Sequence, residues 1–187
     1  MNTSCELLVM GGSAGSFNVL LNALPQLDTI YRFPIVVVLH RNKDAQPILS
    51  DLFSHKTRLA VKEAEEKEEI LPGKIYLAPA DYHLLIEKDR TFSLDYSEKI
   101  NFSRPCIDAT FQTAAEAYGD KLVCVLLSGS NADGVEGLKT VKSLGGLTAV
   151  QSPETCEISY MPQQALLHVA IDEIIDGNFL ADFIKKL

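Results

Sequence analysis

The sequence predicts an α/β fold in which a doubly wound, mainly parallel sheet carries helices on both faces. Strand-like and helix-like segments alternate along almost the whole chain, as in repeated βα units. Two apolar runs rich in β-branched residues, 34–39 and 122–127, have the composition of strands buried on both faces of a parallel sheet. With 187 residues, of which 47% are hydrophobic, the chain is large enough to bury one core. We therefore expect a single domain over residues 1–187.

The first two βα units follow this pattern closely. Their predicted strands are Glu6–Met10 and Pro34–Leu39, and their predicted helices are Ser16–Leu24 and Gln46–Ser54. The first helix is expected to stop before Pro25, because the proline ring cannot continue a helix interior.

The middle of the chain is less regular. An acidic run at 63–69 is most simply a solvated connection. Two short apolar pieces flank Lys88 and Asp89, and we expect them to form an antiparallel β-hairpin inserted in the α/β framework. The strands expected in this part are Leu59–Lys62, Lys74–Pro79, Leu84–Glu87 and Phe92–Leu94.

The last part of the chain returns to regular βα units. Glycines at 119 and 145 mark the ends of two predicted helices, because glycine is the common residue just past a helix C-terminus. The expected helices are Cys106–Tyr118, Val135–Leu144, a small segment at Pro162–His168 and a final amphipathic helix at Phe179–Lys186. The expected strands are Leu122–Leu127, Leu147–Val150 and Glu173–Ile175.

Three of the predicted apolar strands end at residues that can form a hydrolytic triad. The first strand runs into Ser13 in a glycine-rich turn, the second ends at His40, and the run at 122–127 leads into a loop with Asp133. Ligands bind at the carboxyl ends of strands in open α/β sheets, so the three side chains should meet at one edge. We predict Ser13 as nucleophile, His40 as base and Asp133 as the carboxylate that orients the base.

The glycine-rich turn at 11–15 has two other interpretations. It can be a strand-to-helix turn without chemistry, or a loop that binds the phosphate of a nucleotide. Taken alone, the turn supports all three interpretations about equally. The nucleotide interpretation lacks the G-x-G-x-x-G spacing and a following Walker lysine, and the second strand ends in His40-Arg41 rather than in an acidic residue.

The other histidines and the cysteines predict no second catalytic or metal site. His55, His83 and His168 lie in segments where surface or packing positions are the natural interpretation. The four cysteines are far apart and lack C-x-x-C spacing, so we expect reduced, mostly buried thiols rather than disulfides or zinc ligands. They are Cys5, Cys106, Cys124 and Cys156.

Charge and hydropathy exclude two classes of partner. The net charge is −8 with a pI near 5.0, and the basic residues do not gather into a face, so we expect no nucleic-acid partner. No apolar stretch reaches the roughly 18 residues that a membrane-spanning helix needs. We therefore expect a cytoplasmic protein that is not inserted in a membrane.

Five motifs follow one another along the chain: Val9 to Gly15, Val38-Leu39-His40, Ile75 to His83, Arg104 to Asp108, and Leu127 to Gly134. In this order they resemble the catalytic domain of the chemotaxis-receptor methylesterase family, the CheB type. A further match lies at 153–156 and 160–162, so the resemblance covers essentially the whole chain. The resemblance implies a Rossmann-like methylesterase domain.

The resemblance also implies a reaction and its residues. The reaction is hydrolysis of glutamate γ-methyl esters on chemoreceptor helices, with release of methanol, and deamidation of receptor glutamine is a related activity. The family's nucleophile, base and orienting aspartate fall on Ser13, His40 and Asp133. No metal or organic cofactor is implied. Main-chain N–H groups near His40, Ala14 and Ser130 are expected to face the oxyanion, and Arg104 is a candidate for binding a substrate carboxylate, with a structural role as its alternative.

The chain departs from the family's usual pattern in two places. Ala14 and Ser16 stand where a threonine and a second glycine are usual, and the loop before the aspartate has Ser130, Asn131 and Ala132. A catalytically weakened fold that serves as a signalling or scaffold domain therefore stays open as an alternative. Family members usually carry a receiver domain ahead of the esterase, and we expect none here. Either a separate regulatory or receiver protein would then exert control, or the domain would act constitutively.

Overall fold

Seven parallel strands form the central sheet of the computed structural model, which describes residues 5–27, 31–41 and 46–187. The strands of this sheet are β1 (Leu7–Gly12), β2 (Ile35–Leu39), β3 (Ala60–Glu63), β4 (Lys74–Leu77), β7 (Leu122–Leu126), β8 (Leu147–Gln151) and β9 (Glu173–Ile175). Their order across the sheet is β3-β4-β2-β1-β7-β8-β9. Strand β1 therefore lies at the centre, with β2 on one side and β7 on the other.

Helices cover both faces of the sheet. Helices α1, α2 and α6 pack on one face, and α3, α4 and α5 pack on the other. The helices are α1 (Ser16–Ala23), α2 (Gln46–Ser54), α3 (Ile107–Tyr118), α4 (Val135–Ser143), α5 (Tyr160–His168) and α6 (Leu180–Ile184). The predicted doubly wound α/β fold is thus confirmed.

The two faces divide the apolar residues of each central strand between two cores. In β1, Leu7 and Val9 point into the core under α3 and α4, while Leu8 and Met10 point into the core under α1 and α6. All four are fully buried, because side chains alternate between the faces and both faces are covered. This is the physical reason for the continuous apolar runs in the sequence.

The inserted hairpin is also present. Strands β5 (His83–Ile86) and β6 (Phe92–Asp95) pair antiparallel as a separate two-stranded sheet, packed on the face of α3. Phe92 is fully buried and meets the ring of Tyr76 at 4.9 Å between centroids, which ties the hairpin to the central sheet.

Several predicted boundaries differ from the structure by a few residues. Strand β1 extends to Gly12, and the final helix covers only Leu180–Ile184. The acidic run at 63–69 is not a purely solvated connection, because Glu63 belongs to β3 and Ala64 is buried. Within the described part of the chain, no helix has the length and apolarity that a membrane crossing requires.

Candidate active site

The register of the sheet brings Ser13 and His40 side by side. Gly12 of β1 pairs with Leu39 of β2, and Ser13 and His40 are the next residues after this pair. Parallel neighbours lie about 4.8 Å apart, so the two residues leave the sheet next to each other. Main-chain hydrogen bonds fix this exit: the N–H of His40 donates to the Gly12 carbonyl at 3.2 Å, and that of Ser13 donates to the Ser128 carbonyl at 2.9 Å.

The glycines after β1 make the turn around Ser13 tight. A Cβ atom at Gly12 would lie 2.6 Å from Ser16 Cβ, which is closer than real atoms approach. Gly15 has a φ of 85°, in the left-handed region, and precedes the first residue of α1. The turn therefore holds Ser13, which is half-buried, between a strand end and a helix N-terminus.

His40 and Asp133 form a direct pair. The Nε2 atom of His40 lies 2.7 Å from Asp133 Oδ2, and a carboxylate that accepts this hydrogen bond fixes the proton on Nε2. The lone pair available to a proton is then on Nδ1. The hydroxyl of Ser103 lies 3.4 Å from Nδ1, at the limit of a hydrogen bond.

The carboxylate of Asp133 is buried but well satisfied. Besides His40, it accepts main-chain N–H groups of Ile107 at 2.8 Å and Asp108 at 2.9 Å, and the thiol of Cys106 at 3.1 Å. Burial alone would raise the pKa of Asp133, but the hydrogen bonds from His40 and from the amides of Asp108 and Ile107 outweigh it and lower the pKa. Asp133 is therefore held as an anion at the N-terminus of α3.

The loop after β7 carries Asp133 to this position. Gly134 follows it with a φ of 98°, and a Cβ atom there would lie 2.5 Å from Leu126 Cδ1. Only glycine meets both conditions without strain. Burial raises the pKa of the Cys106 thiol, so it keeps its proton and acts as a donor to Asp133.

Ser13 and His40 line the same cavity of about 300 Å³, together with apolar residues of α1 and α2. Among the residues that the structure describes, no hydrogen bond joins the Ser13 hydroxyl to His40. Gly129, at the end of β7, lies against Ser13, because a Cβ atom there would be 3.1 Å from Ser13 Cβ. Ser13, His40 and Asp133 thus lie at one edge of the sheet. His40 and Asp133 form a hydrogen-bonded pair, and Ser13 lines a cavity together with His40.

The main-chain donors at this edge differ in part from the expectation. Within the described part of the chain, the N–H groups of Ala14 and Ser130 donate to no protein acceptor, and both residues are exposed. The N–H of His40 is not free, because it belongs to the ladder bond to Gly12. Among the groups in this region, the His40 amide is therefore not available to an oxyanion, whereas Ala14 and Ser130 keep donors available.

Arg104 is engaged within the protein. Its guanidinium donates to the Asp81 carboxylate at 2.7 and 3.2 Å, donates to the carbonyls of Tyr96 and Ser97, and lies 4.1 Å from the Tyr96 ring centroid. Four of its five N–H donors are thus used. This geometry favours the structural alternative for Arg104 over recognition of a substrate carboxylate.

One group of potential metal ligands lies within the described residues: Cys106, Asp108 and Asp133, with ligand atoms within 4.8 Å of one another. The donors around it suit anions instead. The N-terminus of α3 faces Asp133, and the N–H of Gly137, in the first turn of α4, donates to Asp108 at 2.7 Å. Two positive helix ends at the same place oppose a bound cation.

The remaining histidines agree with their predicted positions. His55 and His168 are exposed, and His83 is fully buried, with its Nε2 atom 2.9 Å from the Glu98 carbonyl. The sequence analysis assigned no role in the site to Arg41, Ser103 or Cys106. Each reaches the site through contacts with residues at least 22 positions away in the chain, which no local pattern reveals.

A family model described as CheB methylesterase matches residues 8–184. The chain belongs to this family. A crystal structure of the CheB methylesterase catalytic domain of Thermotoga maritima superposes with a TM-score of 0.93 and 34% identity, and the match covers 98% of both chains.

Two curated relatives of the CheB family differ in how much of their length is matched. A Leptospira interrogans protein is 44% identical over 97% of this chain and 94% of its own, and its name assigns it provisionally as a protein-glutamate methylesterase/protein-glutamine glutaminase. The Thermotoga maritima protein of that name is 37% identical over 98% of this chain but only 54% of its own. The chain thus corresponds to nearly all of one relative and to about half of the other.

Proposed function

We propose that this chain is a serine hydrolase that removes methyl groups from glutamate γ-methyl esters on chemoreceptor helices, and that it deamidates glutamine at the same sites. The relatives' names and the family support the reaction class. The observation that carries the proposal for this chain is the hydrogen-bonded pair of His40 and the buried Asp133 beside Ser13. We place the reaction in the cytoplasm, with control by a separate regulatory or receiver protein.

The proposed mechanism is acyl transfer in two steps. The Ser13 hydroxyl attacks the ester carbonyl while Nδ1 of His40 accepts its proton, and methanol leaves with that proton. Asp133 accepts a hydrogen bond from the Nε2–H group of His40 throughout the reaction and stabilises the charged imidazole. Water, activated by the same Nδ1 atom, then releases the glutamate carboxylate. For a glutamine substrate the leaving group is ammonia.

The oxyanion would be bound by the main-chain N–H groups of Ala14 and Ser130. Main-chain donors do not depend on the side chain, so alanine in place of the family's usual threonine leaves them intact. Loss of one such donor typically costs about 2.7 to 4 kcal/mol of transition-state stabilisation. The role of Arg104 in this proposal is to hold the 96–104 segment through Asp81 rather than to bind substrate.

The direct test is methanol release from methylated receptor fragments. We expect Ser13→Ala and His40→Gln to lower kcat by about 10³-fold or more, because triad residues act as a unit. Ser54→Ala and His55→Gln are matched controls, since Ser54, the last residue of α2, and His55, which follows it, are both exposed. Equal rates for Ser13→Ala and the wild type would refute the proposal.

A fluorophosphonate probe separates the alternatives. Labelling of Ser13 that requires His40 supports the esterase. Absence of labelling together with thermal stabilisation by a nucleotide would favour a phosphate-binding module, and absence of both would favour a scaffold domain.

A further inference from the structure

A tight turn beside His40 displays an aromatic side chain to solvent. Ile100 and Ser103 exchange main-chain hydrogen bonds of 3.2 and 2.9 Å, and the two residues between them, Asn101 and Phe102, have φ values of 51° and 62°. This is the backbone of a two-residue hairpin turn with both central residues in the left-handed region. A phenylalanine rarely adopts that conformation. Phe102 is nevertheless 98% exposed, so burial does not compensate for the strain.

The turn is fixed to the catalytic residues at both of its sides. The side-chain amide of Asn101 donates to Asp108 at 3.1 Å, and Asp108 is adjacent to the N–H groups that hold Asp133. Ser103 contacts His40 Nδ1 at 3.4 Å. Phe102 also lines two cavities, one bounded by His40 and one bounded by Asp133. The backbone of the turn, and with it the point from which the Phe102 side chain leaves the chain, is therefore fixed relative to the proposed site of reaction.

The cavity between His40 and this turn is cationic. It measures about 230 Å³, and the charged side chains that line it are Arg41, Lys99 and Arg104, with no carboxylate among the described lining residues. This is unusual in a chain with 25 acidic and 17 basic residues. We call it the cationic cavity. Arg41 and Arg104 are each paired with a carboxylate behind the lining, Glu63 and Asp81, so Lys99 is the lining cation that has no carboxylate partner among the described residues and suits an acidic ligand.

Arg41 has donor capacity left over. Its side chain is 7% exposed, and Nη2 donates to Glu63 and to the Ala78 carbonyl, which hold the guanidinium in place. Its Nη1 atom is buried without a hydrogen-bond partner. A buried donor without an acceptor is unfavourable, so an acceptor on a ligand that reaches Nη1 would be bound there. Lys99, at the mouth, forms no ion pair within the described part of the chain.

We propose that this turn and the cationic cavity dock an acidic amphipathic helix of the substrate protein, with Phe102 against its apolar side chains and Arg41 and Lys99 around a carboxylate one helical turn from the ester. His40 and Arg41 line both this cavity and the one that contains Ser13. Residues three or four apart on a helix are about 5 to 6 Å apart, which suits two adjoining cavities. The inference rests on the proposed function and adds a specificity rule: esters with an acidic neighbour at that spacing react faster.

The test uses two helical peptides that differ at two residues. Each carries one glutamate γ-methyl ester. The positions four residues before and four residues after it hold Glu in one peptide and Gln in the other. For the wild type at low salt we expect kcat/KM, measured by methanol release, to be about ten-fold higher for the Glu peptide, the effect of one charge-assisted hydrogen bond. The preference should shrink as salt is added.

Lys99→Gln and Phe102→Ala are suitable variants, because both side chains are exposed and their removal leaves the core intact. We expect Lys99→Gln to reduce the preference about two- to five-fold, as for an exposed ion pair. Phe102→Ala should raise KM for both peptides about ten-fold, with a smaller effect on free glutamate γ-methyl ester. The matched controls are Lys88→Gln, at the far end of the β5–β6 hairpin, and Phe179→Ala, beside β9 and 60% exposed.

The outcomes separate this inference from the proposed function. Equal kcat/KM for the two wild-type peptides, or equal effects of the matched controls, would overturn the docking proposal while methanol release still depended on Ser13. Methanol release from free glutamate γ-methyl ester that does not require Ser13 would overturn the proposed function instead.

Discussion

Replacement of Asp108 by asparagine tests the electrostatics under the proposed site. Asp108 is buried next to Asp133, and its carboxylate accepts the N–H of Gly137 and the side-chain amide of Asn101. Burial raises the pKa of Asp108 to about 7. The Gly137 hydrogen bond opposes this rise, and the negative charge of Asp133 adds to it. Asparagine has nearly the same shape and cannot ionise, so Asp108→Asn removes this titration.

The sign of the effect follows from the two pKa values. The pKa of Asp108 is 3.8 in the unfolded chain and about 7 in the folded protein. Between these two pH values the folded state holds a proton that the unfolded state has lost. The free energy of unfolding therefore falls as pH rises through this window, by up to 1.36 kcal/mol per pH unit. From pH 4.5 to pH 8 this amounts to about 3 kcal/mol as an upper limit. The lowered pKa of Asp133 acts below 3.8, so it lies outside the window.

The assay is urea unfolding of both proteins at several values from pH 4.5 to pH 8. The chain has no tryptophan, so far-UV circular dichroism is the suitable probe. We expect the stability of Asp108→Asn relative to the wild type to rise with pH and to become constant above about pH 8. Asp51→Asn is the control, because Asp51 is exposed on α2. A difference between Asp108→Asn and the wild type that is constant over the range would refute the reasoning.

Four further substitutions test the surroundings of Asp133 and the packing of α3 on the sheet. Cys106→Ser keeps a donor to the carboxylate, so the rate of methanol release should stay within about three-fold of the wild type. Cys106→Ala should lower the free energy of unfolding by about 1 kcal/mol and move the acid limb of the pH–rate profile to higher pH. Gly134→Ala combines a φ of 98° with a contact of 2.5 Å to Leu126, so denaturant unfolding should show a loss of about 2 to 5 kcal/mol. Phe111→Ala empties a fully buried position between α3 and the sheet and should cost about 3 to 5 kcal/mol in the same assay; a loss below 1 kcal/mol would contradict the packing described for that face.

The sequence determined the fold class and the position of the candidate site. Continuous apolar runs specify strands covered on both faces, and the alternation with helical segments specifies a parallel sheet. Because parallel strands end at a common edge, Ser13, His40 and Asp133 could be placed together from the sequence alone. The boundaries that differed lie at strand and helix ends, such as Gly12 and Leu180, where local preference is weakest.

The hydrogen bonds that hold these residues depend on tertiary contacts and were not predicted from the sequence. The choice of Nε2 as the atom that bonds Asp133 depends on the direction from which the loop after β7 approaches His40. The thiol of Cys106 and the N-terminus of α3 reach the same carboxylate from another part of the chain. The sequence also did not predict that Arg104 is paired with Asp81 or that Arg41 keeps a buried donor without a hydrogen-bond partner. Secondary structure follows from patterns within a few residues, whereas hydrogen-bond partners are set by packing between segments that are distant in sequence.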